Sequence, residues 1–216
     1  MKKILPIAAA LFMMGSAAKA QIISLDAGYL FSTLTEYDDN TKTLNEASNG
    51  AFVGASYNFL ITEELGVAPG LYYSFLTNKS TDTSPLGDYI STSKFSEHAL
   101  NLPVYLNYCL ELGHADLYFY AGPTFQYGLS SKYKSEDTYA KTGQIIQGSI
   151  DNYQDIGMSR FNLFIGGGIG TILNERIRVT LGYDHGLLNL YNVEGSSLRD
   201  YRYNVKLSLA YLFDYR

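Results

Sequence analysis

Ser96 and His98, in the segment FSEH, are the residue types of an acyl-transfer centre: a hydroxyl nucleophile with an imidazole that could take its proton. On an extended chain, residues two apart share a face but have Cβ atoms about 6–7 Å apart, so direct contact needs favourable rotamers. The neighbouring sequence offers no third group to orient the imidazole and no evident oxyanion donor. The reading from the sequence is therefore that the protein is not an enzyme, with lipid acyl hydrolysis by Ser96 and His98 as the alternative. His185 falls at the same level on another segment, and His114 lies in a short turn without metal-binding neighbours, so no metal and no cofactor are expected. Cys109 is the only cysteine, which excludes an internal disulfide and points to a buried, inert thiol. The glycine-rich FIGGGIG at 164–170 precedes no helix and is not a phosphate loop.

A second set of chemistry-bearing residues is larger: Asp26, Arg178, Asp184 and Lys206, with Tyr72, Tyr105, Tyr118 and Tyr120. They share one property, which becomes visible only in the elements that carry them. The chain alternates with a period of two: Ile23, Leu25, Ala27, Tyr29 and Phe31 against Ser24, Asp26, Gly28 and Ser32, then Val67, Pro69, Leu71, Tyr73 and Phe75 against Gly66, Ala68, Gly70, Tyr72 and Ser74. The same pattern recurs around 51–59, 100–108, 117–129, 161–170, 178–184 and 203–213. It gives eight strands, each with an apolar face and a small or polar one. Pro103 and Pro123 remove ladder donors and are read as local bulges or kinks.

The connections alternate as well. Short ones (ITEEL, ELGHAD, LNER) separate the second and third, fourth and fifth, and sixth and seventh strands, and long polar ones span about 35–50, 77–94, 130–159 and 192–200. On the apolar face, rings collect at both strand ends. Tyr29, Phe31, Tyr73, Phe75, Phe125, Tyr127, Phe161, Tyr183 and Tyr203 stand at the long-loop end. Tyr57, Phe59, Tyr108, Phe119, Tyr211 and Phe213 stand at the other, with Val53, Leu71, Leu102, Leu181 and Leu207 between. Two aromatic girdles around an aliphatic band predict an all-β fold, an eight-stranded antiparallel up-and-down transmembrane β-barrel with its apolar face to lipid. The interior of such a barrel is just wide enough for side chains to fill it. The polar set therefore becomes a hydrogen-bonded and ion-paired plug, against the alternative of a small-solute channel.

Residues 1–20 carry Lys2, Lys3, an apolar stretch and Ala18-Lys19-Ala20, the layout of a cleaved secretory signal, leaving 21–216 as one barrel domain. Without Lys2, Lys3 and Lys19 the formal net charge moves from −5 to about −8, which argues against nucleic acid as a partner. The expected location is the cell outer membrane. The expected partners are its lipid and lipopolysaccharide, with an extracellular ligand engaged through the long loops, of which 132–155 is the longest.

LNLPVYLNY at 100–108, LYFYAGPTFQYGL at 117–129, FIGGGIG, YDHGLLNL at 183–190 and the terminal YLF together resemble the PorT-like outer-membrane β-barrel family of Bacteroidetes. The resemblance covers roughly 95–216 and implies a small outer-membrane barrel. It implies no assigned activity, and the secretion-linked role of PorT does not transfer on a barrel pattern alone. Outer-membrane lipid A deacylases carry serine and histidine on a barrel exterior, which is the context in which Ser96 and His98 would act.

Overall fold

The computed structural model describes residues 21–38, 41–84, 88–113, 115–191 and 197–213; the expected signal segment and His114 lie outside them. Nine strands follow in order: β1 (Gln21–Asp38), β2 (Thr41–Leu60), β3 (Leu65–Thr83), β4 (Tyr89–Leu110), β5 (Ala115–Tyr139), β6 (Ile145–Asp151), β7 (Phe161–Leu173), β8 (Ile177–Gly186) and β9 (Arg199–Phe213). Eight of them form a closed antiparallel ring in the order β4-β3-β2-β1-β9-β8-β7-β5, completed by β5 against β4. The ninth, β6, pairs only with the distal half of β5 and stands outside the ring.

Alternation fixes which way each strand faces. On β1, Ser24, Asp26 and Ser32 are buried while Leu25, Tyr29 and Phe31 are exposed; on β8, Arg178, Thr180 and Asp184 are buried while Leu181 and Tyr183 are exposed. In an isolated molecule the exposed face is the lipid face, and closure of the ring leaves no unpaired edge at membrane depth. The rings at its two ends touch one another. Tyr57 and Phe59 are 4.5 Å apart and Tyr211 and Phe213 4.8 Å at one end, while His185 and Tyr203 are 4.9 Å apart at the other.

Three findings differ from the sequence reading. The long connections are mostly strand: β1 and β2 stay paired as far as Asp38 and Thr41, β3 and β4 as far as Thr83 and Ile90, and β5 with β6 builds a hairpin within 130–159. These extensions stand in water and carry only scattered apolar residues such as Leu44 and Ile90, so they show no sustained apolar alternation to reveal them. At Pro103 and Pro123, read as bulges or kinks, there is no bulge but a local break in pairing. The β4–β5 ladder skips from Pro103 opposite Thr124 to Leu106 opposite Ala121 with no change of register. The register shift lies instead at His98 and Ala99, opposite Ser130 and Gly128, leaving Leu129 as the extra residue. Beyond it the parity of β5 reverses: Leu129 is exposed, and the next odd residue, Ser131, is fully buried. Finally, the lumen is not polar throughout. Ile22, Cys109, Tyr118, Ile172 and Leu212 pack together inside the barrel at the short-turn end, and Leu30, Leu76 and Phe164 point inward further up.

Candidate functional site in the lumen

Three buried ion pairs point into the lumen. Nearest the short turns, Arg178 Nη2 of β8 donates to Asp26 Oδ1 of β1 at 2.9 Å, and the same guanidinium lies 4.6 Å from the Tyr118 ring of β5. Asp26 also accepts from Ser24 Oγ (2.6 Å) and Tyr72 Oη (3.1 Å), so both oxygens of a carboxylate removed from water are engaged. At the next level, Lys206 Nζ of β9 lies 2.7 Å from Asp184 Oδ2 of β8 and donates to Tyr105 Oη of β4 at 2.9 Å. Tyr105 in turn shares a hydrogen bond with Thr124 Oγ1 at 2.9 Å and packs 4.8 Å from the Tyr120 ring. The structure thus brings all eight polar residues singled out in the sequence into one connected interior cluster.

Glycines on facing strands make that cluster fit. A Cβ on Gly182 would fall on the Tyr120 hydroxyl, one on Gly168 would lie 2.7 Å from Tyr120 Cε1, and one on Gly166 would collide with Asp184 Oδ1. Gly170 is different: its nearest side chain is Thr180, not a tyrosine. A cavity of about 80 Å³ remains between Asp26, Tyr72, Asp184 and Lys206, and a smaller one of about 40 Å³ lies beneath Arg178. Each admits a few water molecules, and the two share Ser56, Tyr118 and Arg178 in their walls.

The third pair, Arg202 of β9 with Glu97 of β4, closes the outer end. Arg202 Nη2 donates to Glu97 Oε2 at 2.9 Å and Nη1 to Oε1, a bidentate fork with side chains 4% and 2% exposed. Arg202 falls outside the strand of 203–213 read from the sequence. Extending the inward parity of Asn204 and Lys206 by one step would have found it. Above this pair the segment 152–160 folds back over the mouth. Asn152 Nδ2 donates to Ser131 Oγ (2.9 Å), and Arg160 donates to the Gly128 and Leu129 carbonyls (3.2 and 3.0 Å) while stacking 4.5 Å from the Tyr153 ring. Burial, with Glu97 nearby, raises the Tyr153 hydroxyl above its usual range, so it stays protonated.

Outside this cap a vestibule of about 290 Å³ is lined by Leu34, Leu44, Phe95 and Ile156 and by the carboxylates of Glu36, Glu46 and Asp200. Burial first, and then the two glutamates, push Asp200 up to about 6.

Ser96 and His98 face outward on β4. His98 Nδ1 is hydrogen-bonded to the Tyr73 hydroxyl, and its ring lies 4.9 Å from Phe75 and 5.9 Å from Tyr73. The imidazole thus sits within the outer aromatic belt. His185 is placed the same way, between Tyr183 and Tyr203. Cys109 is buried in the apolar cluster of the lumen. Among the described residues no group of His, Cys, Asp and Glu is arranged to hold a metal ion.

The family described as "Outer membrane protein beta-barrel domain" matches residues 19–192. No curated protein matches the chain. Among solved structures, Ail of Yersinia pestis is similar at 14% identity, over 90% of this chain and 99% of that one, with a TM-score of 0.42. Neisserial surface protein A is similar at 11% identity over 92% and 99% with a TM-score of 0.43, and OprG of Pseudomonas aeruginosa at 11% over 91% and 97% with the same score.

Proposed function

Because the chain belongs to the outer membrane protein β-barrel domain family, we propose that it is a non-conducting envelope barrel whose closed lumen is a rigid support for extracellular hairpins that engage a ligand. The observation that carries this reading is the succession of three buried ion pairs in the lumen, Asp26–Arg178, Asp184–Lys206 and Glu97–Arg202, with Glu97–Arg202 and the Lys206–Tyr105 hydrogen bond reaching across the ring from β9 to β4. Moving one solute past them would require separating buried charges, at several kcal/mol per ion. Folded protein in planar bilayers is expected to give no stable conductance. Reproducible single-channel steps, altered by Asp26→Asn or Lys206→Gln, would overturn the reading.

The motifs shared with PorT-like barrels of Bacteroidetes support the narrower affiliation, and export through cleavage after Ala20 completes the proposal. Mass spectrometry of protein from the outer membrane should find Gln21 as the first residue; an intact Met1 would refute the cleavage. The protein is proposed not to be an enzyme. The engagement of His98 by Tyr73 supports this, since an imidazole in a ring belt is a membrane-interface group. Ser96→Ala and His98→Ala should leave the lipid A profile of cells unchanged, and a deacylated species lost in both would make it a hydrolase.

A further inference from the structure

Lysines gather on one outward face above the outer aromatic belt. Lys79 of β3 stands directly opposite Lys94 of β4, and Lys94 directly opposite Lys134 of β5, so three adjacent strands carry lysine at a single level. One outward position closer to the membrane, Lys132 is opposite Ser96, and Ser96 is opposite Thr77. The row beneath is Phe75 opposite His98, part of the belt itself. All four lysines are exposed. The reversal of parity at Leu129 is what turns Lys132 and Lys134 outward, beside Lys94.

Like charges directly opposite on a sheet destabilise it, and here three are in line in a chain whose net charge is −5. Among the described residues, none of the four forms a salt bridge. Asp151 of β6 is directly opposite Lys132, whereas the direct neighbours of the Lys79–Lys94–Lys134 row are one another and Ser149, with no carboxylate opposite. A row of three lysines that repels itself and faces no carboxylate directly is complementary to an external anion.

The height of the row says which anion. Lys79 is four residues beyond Phe75, about 13 Å along the strand and roughly 9 Å along the membrane normal at a 45° tilt. The head-group zone of a bilayer extends about 5–8 Å beyond the hydrocarbon on each side, within reach of lysine side chains from this level and from Lys132 below it. The face is an open sheet flanked by the hydroxyls of Thr77 and Ser96, suited to a head group lying alongside.

We propose that Lys79, Lys94, Lys132 and Lys134 form a docking patch for the phosphates of an outer-leaflet glycolipid of the lipid A type. The proposal rests on the outward direction of the hairpins in the reading above but not on the closed lumen, so conductance in bilayers would leave it standing.

The test uses folded full-length protein in phosphatidylcholine vesicles, with three probes: diphosphorylated lipid A, the same lipid stripped of phosphate, and soluble heparin. Attraction of about fivefold per lysine predicts that K79Q/K94Q/K134Q weakens diphosphorylated lipid A binding by about a hundredfold. The corresponding triple Arg variant, and K42Q/K141Q at other exposed lysines, should bind as the parent does. The Gln variant should also be more resistant to unfolding in vesicles without anionic lipid, because the repulsion is gone. Parent-like lipid A binding by the Gln variant would overturn the proposal, as would a parent protein that ignores removal of the phosphates or prefers heparin. The phosphate comparison is made on the unaltered protein and decides the question even if the triple variant fails to fold.

Discussion

Arg202→Met isolates what the outermost ion pair contributes, because methionine keeps most of the aliphatic stem and removes only the charged fork. Glu97 is 2% exposed and sits against that fork, so the substitution strands a carboxylate in the interior. Leaving one member of a buried pair costs about 3–5 kcal/mol. The carboxylate has an escape, which is to take up a proton. For an ordinary glutamate, which titrates near 4.3, that costs about 3.7 kcal/mol at pH 7 and about 1 kcal/mol at pH 5. The loss of stability at pH 7 should therefore be about 3–4 kcal/mol, and it should shrink by more than half at pH 5. Replacing both partners with apolar residues, as Glu97→Leu with Arg202→Met, removes the stranded charge and should bring the loss to within about 1–2 kcal/mol of the parent. Reversible urea unfolding in lipid vesicles, followed by the mobility difference between folded and unfolded barrel on gels, measures all three. A single-variant loss below about 1 kcal/mol at pH 7, or one that is the same at pH 5, would show that water reaches the pair and refute the closed-lumen argument.

Leu71, Leu181 and Leu207 are 53%, 54% and 52% exposed on the lipid face, and Arg at any of them should cost about 2–4 kcal/mol, with distinctly less at Tyr203 near the interface; equal costs by unfolding titration would refute the depth assignment. Gly182→Ala should displace the Tyr120 ring and cost about 1–3 kcal/mol, read from the same titration. Gly128→Ala should collide with the Tyr153 hydroxyl and loosen the cap, so that limited proteolysis cuts within 152–160 faster while the barrel stays intact. Asp200 binds its proton more tightly folded, at about 6 against the 3.8 of an ordinary aspartate, so its charge penalises the folded state above pH 6 and the penalty is relieved as pH falls toward 4. Hydrogen exchange of the outer ends of β1 and β9 should accordingly slow between pH 7 and pH 5 after correction for the intrinsic rate, and Asp200→Asn should abolish that change.

Period-two alternation was enough to reveal the membrane-spanning parts of the strands, because lipid imposes a contrast between faces that a sequence must display. The same contrast assigned Asp26, Arg178, Asp184 and Lys206 to the interior. It could not pair them: Arg178 meets Asp26 across 152 positions of sequence, and which inward residues meet depends on the stagger of the closed ring. Where the contrast ends, so did legibility. The outer extensions of β1 to β5 have the composition of loops, Arg202 lies in the matching extension of β9, and one extra residue at Leu129 reverses every facing beyond it. Ile22 and Leu212 are illegible as lumen residues for the opposite reason, since an apolar side chain at an inward position contradicts the expected polarity of the interior.

The junction of β1 with β9 sets the order of assembly. Ile23 is paired with Phe213 and Tyr37 with Arg199, so the ring is sealed by its first and last strands, almost the whole described chain apart in sequence. Every other junction joins strands that follow one another along the chain, apart from the step around β6. Until β9 has emerged, any growing sheet carries two raw edges, each a template for pairing with another chain, and the most non-local contact must form last and slowly. A nascent barrel of this kind is vulnerable for the entire interval between its synthesis and its closure. It follows that a cell needs to escort the chain in transit even though the finished ring is self-sufficient, and that a lesion in Leu209 or Tyr211 should reduce the yield of inserted protein far more than its final stability.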